Sequence, residues 1–131
     1  MTVNEAMLIV AEREAKKYGY IEVSKDVLDA RNDSFWGNQY VGLMSKDPVT
    51  INRCRYIYPI FEEERDKNKM QPSIKIDMYY GRPRLNVCKP DGTFTCITYK
   101  DNVCSETQTF KENGLELALE IKKQIDELLS R

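Results

Sequence analysis

Residues 73–109 read SIKIDMYYGRPRLNVCKPDGTFTCITYKDNVCSETQT, and the fold turns on how this stretch is parsed. Four runs rich in β-branched and aromatic residues, Ser73–Tyr80, Arg84–Lys89, Thr93–Tyr99 and Val103–Thr109, alternate apolar with polar positions. That period of two is the pattern of half-buried strands. Gly81-Arg82-Pro83, Lys89-Pro90-Asp91-Gly92 and Lys100-Asp101-Asn102 separate the runs, and each supplies residues that favour tight turns. Consecutive strands joined by such turns form antiparallel hairpins.

A register follows from asking which pairing gathers apolar side chains on one face. With Gly81-Arg82 and Asp101-Asn102 as two-residue loops and Pro90-Asp91-Gly92 as a three-residue loop, one face carries Ile74, Ile76, Met78, Tyr80, Leu85, Val87, Thr95, Ile97, Tyr99 and Cys104. That face is the expected core side. The other carries Lys75, Asp77, Tyr79, Arg84, Asn86, Cys88, Phe94, Cys96 and Thr98, a mixture of charge, amide and aromatic ring.

Outward from the sheet, both ends of the chain read as helices. Thr2 and Glu5 have capping-box spacing, and Gly19 supplies a left-handed stop, which predicts a helix over Val3–Tyr18. Met7, Leu8, Ala11, Ala15 and Tyr18 form its expected buried stripe, widened by Val3, Ile9 and Val10, while Glu12, Arg13, Glu14, Lys16 and Lys17 are expected on the solvated side. Gly114–Ser130 is the second helix, with Asn113 and Glu116 at capping-box spacing and Ala118, Ile121, Ile125 and Leu128 in one stripe. Leu115, Leu117, Leu119 and Leu129 broaden that stripe beyond what one sheet needs, so a homodimer through the C-terminal helix is an expectation.

The middle of the chain is less regular. Tyr20–Val23 reads as extended, and Ser24 as the cap of a brief helix through Val27 and Leu28 to Arg31. Residues 32–48 combine turn signals with Phe35, Trp36, Tyr40, Val41 and Leu43. Phe35 and Trp36 either plug one end of the core or form a recognition loop anchored by Trp36. Residues 49–61 carry two signals, Asp47-Pro48 ahead of them as the opening of a helix and Arg55–Tyr58 with Ile60-Phe61 as a strand; Pro59 interrupts either, an edge strand is the favoured reading, and Glu62–Lys69 reads as a solvated charged segment. The fold class expected is α+β: one domain over 1–131, with an antiparallel sheet of four to five strands and the N- and C-terminal helices packed on its apolar face.

Composition removes several chemistries. The chain has 131 residues, 20 Lys and Arg against 21 Asp and Glu, and a net charge of −1, so no global field gathers nucleic acid or an anionic membrane. No run approaches a membrane span. There is no histidine, which removes imidazole bases, Ser-His-Asp and Cys-His arrangements and imidazole-ligated zinc. The residues Met1–Glu5 carry no secretory or transit pattern, so a cytoplasmic location with reduced thiols is expected.

Cys88, Cys96 and Cys104 recur every eight residues, but none forms a close metal-binding pair, and the register divides them between two faces. Cys54 lies between Arg53 and Arg55, where cations lower a thiol pKa, yet a strand sends both arginines to the opposite face. Asp26 with Asp29, or Glu62 with Glu64, supplies carboxylates without a cleft to hold them. Neither a metal, a cofactor nor catalysis is therefore expected. Two binding functions remain. One is a non-enzymatic protein that engages a macromolecular partner, as an inhibitor or accessory factor. The other is a nucleotide or nucleic-acid module in which Arg84, Tyr79, Phe94, Asn86 and Lys75 stack a base and pair a phosphate. Arg53, Arg55 and Arg82 add local positive charge to either, and Phe35 and Trp36 complete the candidate contact residues.

Overall fold

The computed structural model describes residues 1–22, 54–57, 72–110 and 113–131. These comprise α1 (Val3–Tyr18), β1 (Ile21–Glu22), β2 (Cys54–Ile57), β3 (Ser73–Tyr79), β4 (Arg82–Cys88), β5 (Phe94–Lys100), β6 (Val103–Phe110) and α2 (Gly114–Leu129). The strands lie in chain order in one antiparallel sheet. The α+β class is as expected, but the sheet has six strands rather than four to five. The sixth is the two-residue β1, which pairs with β2; β2 falls in the segment expected as an edge strand but lies between β1 and β3 and so is not at the edge. The segments expected as a brief helix after Ser24, the aromatic stretch with Phe35 and Trp36, Arg53, Pro59 and the charged run 62–69 lie outside the described residues.

Both described helices cover the same face. Thr2 closes the expected capping box, accepting from the Glu5 N–H at 3.1 Å while Glu5 accepts from the Thr2 N–H at 3.3 Å, and Gly19 ends α1 at φ 72°. Asn113 forms no side-chain cap on α2, so the second expected capping box is not made. Its backbone, at φ −89° and ψ 4°, lacks the extended conformation from which a cap side chain reaches forward. Gly114 has a different reason to be there. A Cβ at this position would stand 2.8 Å from the Thr109 Cβ and 3.0 Å from the Phe94 carbonyl, so the missing side chain lets the helix start directly on the sheet.

The core joins Met7, Val10 and Ala11 of α1 to Ile74, Leu85, Val87, Ile97 and Tyr99 of the sheet and to Leu117, Ile121, Ile125 and Leu128 of α2. Removing so much apolar area from water is the main favourable term, at about 25 cal/mol per Å². Polar ties fix the helices on it. The Tyr99 hydroxyl donates to Asp126 Oδ1 at 2.8 Å, Lys122 donates to Asp126 Oδ2 at 2.7 Å, and the Tyr20 hydroxyl donates to the Cys88 carbonyl.

Two expectations about α1 are corrected here. Leu8 is 44% exposed, whereas Glu14 is fully buried. Glu14 accepts from Tyr18 Oη at 2.5 Å, from Lys17 Nζ at 3.0 Å and from Gln124 Nε2 of α2 at 2.9 Å. Burial alone pushes this carboxyl up, but the hydrogen bonds from Tyr18, Gln124 and Lys17 outweigh it and hold the group below the ordinary carboxylate value. Burial and the neighbouring Glu14 carboxylate push the Tyr18 hydroxyl up. The buried acid thus ties the first helix to the last.

Register explains the remaining differences. β3 and β4 pair with Ile74 opposite Val87 and Tyr79 opposite Arg82, so the loop is Tyr80-Gly81 rather than Gly81-Arg82. The shift is two residues, which preserves the faces. Between Thr98 and Tyr99 a bulge changes the β5–β6 register, so Thr107 and Thr109 stand opposite Ile97 and Thr95. Of the expected core face, Ile74, Leu85, Val87, Thr95, Ile97 and Tyr99 are buried and Ile76 and Cys104 are partly so. Met78 and Tyr80 are not: they are 50% and 86% exposed, because the hairpin tip runs past the helices.

Candidate binding site

On the face of the sheet opposite α1 and α2, the side chains form cross-strand rows. Lys75, Asn86, Cys96 and Gln108 stand in one row, and Asp77, Arg84, Thr98 and Glu106 in the next, with Tyr79 opposite Arg82 towards the β3–β4 tip. Direct cross-strand neighbours are close enough to interact, and the Asp77 row does so strongly. Arg84 Nε donates to Asp77 Oδ1 at 2.8 Å and Arg84 Nη2 donates to Oδ2 at 2.6 Å, a two-point clamp. Asn86 Nδ2 adds a third bond to Asp77 Oδ1 at 3.2 Å. The Asp77 side chain is only 8% exposed, so its bonds are shielded from water. Its hydrogen bonds raise the Arg84 pKa further.

The clamp holds an aromatic pair. Arg84 Cζ lies 4.8 Å from the centre of the Tyr79 ring, and Tyr79 meets Tyr80 edge to face, with centroids 4.6 Å apart and planes at 78°. Cation–π and edge-to-face contacts at these distances each contribute about 0.5–1.5 kcal/mol. Asp77 therefore fixes Arg84, Arg84 backs Tyr79, and Tyr79 props Tyr80. Tyr80 itself sits at φ 49°, followed by Gly81 at φ 76°, in a two-residue hairpin loop that asks for positive φ at both positions. A bulky residue in that conformation is strained by roughly 1 kcal/mol.

The expected contact residues divide accordingly. Arg84, Tyr79 and Asn86 are brought together around Asp77, but Asn86 is 7% exposed and spends its amide on that carboxylate. Lys75, Arg82 and Phe94 are half-buried and Arg55 is exposed. Lys75 and Arg82 form no ion pair among the described residues. Phe94 stands opposite Cys88, two rows from the clamp and away from the tip. Phe35, Trp36 and Arg53 lie outside the described residues. Tyr80 and Met78 are the surface residues that the sequence reading assigned to the core. A signal for Tyr80 was available, since Tyr80-Gly81 leaves glycine at the second loop position, where hairpin loops of this type favour it.

The thiols on this face are shielded from solvent. Cys88 and Cys96 are buried, and burial pushes the Cys96 thiol up to about 11 against the lowering effect of Arg84. Cys104 lies in the other half of the split that the register anticipated, partly exposed on the helix side. It lines an open cleft of about 380 Å³ with Val103, Lys122, Asp126 and Leu129. Among the described residues no group of acids or cysteines is placed to hold a metal ion, and no helix is long and apolar enough to cross a membrane. Comparison with protein-family models, curated proteins and solved structures returns no match.

Proposed function

We propose that this chain is a small non-enzymatic protein of the cytoplasm that acts by binding a protein partner, as an inhibitor or accessory factor of a larger assembly, and that the β3–β4 tip is the contact. The observation that carries the reading is Tyr80: 86% exposed, strained at φ 49° and braced from below by Tyr79, Arg84 and Asp77. Neither core packing nor turn propensity accounts for a tyrosine there, and strain of this kind gathers where function requires it. A rigid aromatic ring with an arginine nearby is the usual composition of an interface anchor, because it buries a large area at little entropic cost. Met78 and Arg82 extend the same tip.

The nucleic-acid reading is weaker on this geometry, since Arg84 and Asn86 already spend donors on Asp77. What favours it is Arg82 opposite Tyr79, a cation that forms no ion pair among the described residues, with Lys75 two rows away on the same face. The decisive variant is Tyr80→Asn, which replaces a strained tyrosine by a residue suited to the loop. It is expected to raise stability by about 1 kcal/mol while abolishing capture of the protein's partner from its native lysate. Retention of every partner by the stabilised variant refutes the assignment. A parallel titration with single-stranded oligonucleotides at low salt is expected to show no binding; binding that weakens steeply with salt and is lost in Arg82→Ala establishes the other reading instead.

A further inference from the structure

The edges of the sheet are unequal. β1 offers two residues at one edge, whereas β6 offers eight at the other. Ser105, Glu106, Thr107, Gln108 and Thr109 are all exposed, and Val103 is 68% exposed. Among the described residues no strand pairs with the outer side of that backbone, which makes it a template for strand addition. Beside it runs the outer flank of α2. The helix lies over β5 and β6, and its inner flank faces α1 through Gln124. At 100° per residue the opposite flank carries Lys122, Asp126 and Leu129, the residues that share a cleft with Val103 and Cys104 of β6. Leu115 and Leu119 fall on this same flank, and each is 59% exposed.

We infer that a second copy of this chain covers both surfaces. β6 pairs antiparallel with β6 of the second copy about a two-fold axis through Thr107, and α2 packs on its counterpart across that axis. Three features of the chain select a copy of itself as the occupant. The pairing is self-complementary: Glu106, the one charged residue of β6, meets Gln108 of the second copy, Ser105 meets Thr109, and Thr107 meets itself. The lateral spacing also fits. With strands about 4.8 Å apart, the axis lies roughly 2.4 Å beyond β6, so two helices each seated between β5 and β6 stand about 10 Å apart, the distance at which helices pack.

The height fits as well. α2 begins against Thr109 and ends beside Val103 and Cys104, so it runs opposite to β6. Two strand residues, from Thr109 to Thr107, span about 6.6 Å, which is roughly four residues of helix from Gly114. That places Leu119 at the level of the axis, where the two copies meet, with Leu115 next to it. The backbone edge and the leucine stripe are thus satisfied by one operation.

Light scattering coupled to size exclusion, over a concentration series, is expected to approach twice the 15.3 kDa mass of the chain. Thr107→Lys sets two ammonium groups against each other at the axis, and Leu119→Glu charges the helix contact. Each is expected to yield the single-chain mass with an unchanged far-ultraviolet dichroism spectrum. Thr107→Cys is expected to give a dimer under mild oxidation that is linked through position 107, whereas Thr109→Cys gives none linked through position 109. A single-chain mass for the native protein at every concentration, a dimer undiminished in both charged variants, or no linkage through position 107 overturns the inference. The tip is a separate surface, so Tyr80→Asn leaves the dimer mass unaltered.

Discussion

Replacing Glu14 by alanine tests the tie between the terminal helices. Glu14 is fully buried and accepts from Tyr18, Lys17 and Gln124. Without it, the Lys17 ammonium can turn to water, since its side chain is 56% exposed, so little is lost there. The Tyr18 hydroxyl and the Gln124 amide are left short of a partner in a partly buried site, at about 1–3 kcal/mol each. The removed carboxylate no longer has to be desolvated, which offsets part of this. A net loss of about 2–4 kcal/mol is expected, equivalent to a fall in Tm of roughly 7–15 °C for a domain of this size.

The loss has a pH signature. The folded-state pKa of Glu14 lies below the ordinary carboxylate value, so between those two values the unfolded chain holds more protons. The stabilisation is therefore present above the unfolded value, near 4.3, and disappears as pH falls through the folded one. Urea unfolding of native protein and Glu14→Ala at a series of pH values is the assay. The difference between them is expected to be full at neutral pH and to shrink under acid. A difference below about 0.5 kcal/mol at pH 7, or one that is flat down to pH 2, refutes the reasoning.

Two further outcomes follow from the geometry. Gly114→Ala drives a Cβ onto Thr109 and the Phe94 carbonyl and is expected to cost about 1–3 kcal/mol in chemical unfolding, with the loss reduced when Thr109→Gly removes one of the clashing atoms. Among Cys88, Cys96 and Cys104, a thiol reagent at neutral pH is expected to label Cys104 first, because the other two are buried and the Cys96 thiol is pushed up to about 11; peptide mapping of the partially labelled native protein reads the order.

How much was legible in the sequence depended on whether apolar residues marked the face. In β3, β4 and β5 the alternation through Ile74, Leu85, Val87 and Ile97 settled the faces, and even the two-residue error at Tyr80-Gly81 could not disturb them. β6 has only polar side chains between Cys104 and Thr109, so nothing in its composition revealed the bulge at Thr98 and Tyr99. Charge alone points Glu14 to solvent, and its burial depends on partners that charge does not reveal. Its spacing from Ala11 and Tyr18 lies on the apolar stripe, and Tyr18 four residues later supplies the partner that makes burial tolerable. The clamp on Asp77 was half visible. The register placed Asp77, Arg84 and Asn86 on one face, but sequence did not show that the acid would occupy the donors a ligand was expected to use.

The order of strands has a consequence for how the chain reaches this state. From β3 to β6 each strand pairs with the one next to it in sequence across a short turn, so these hairpins close loops of a few residues at small entropic cost. α1 is different: Glu14 and Gln124 are 110 residues apart. The slowest event in refolding is then expected to be the arrival of the N-terminal helix on a sheet already formed, and a φ-value series is expected to give values near zero at Glu14 and high ones at Ile97. Until that moment Ile74, Leu85 and Val87 lack part of their cover, and the interval in which they do so sets the chain's exposure to aggregation during refolding.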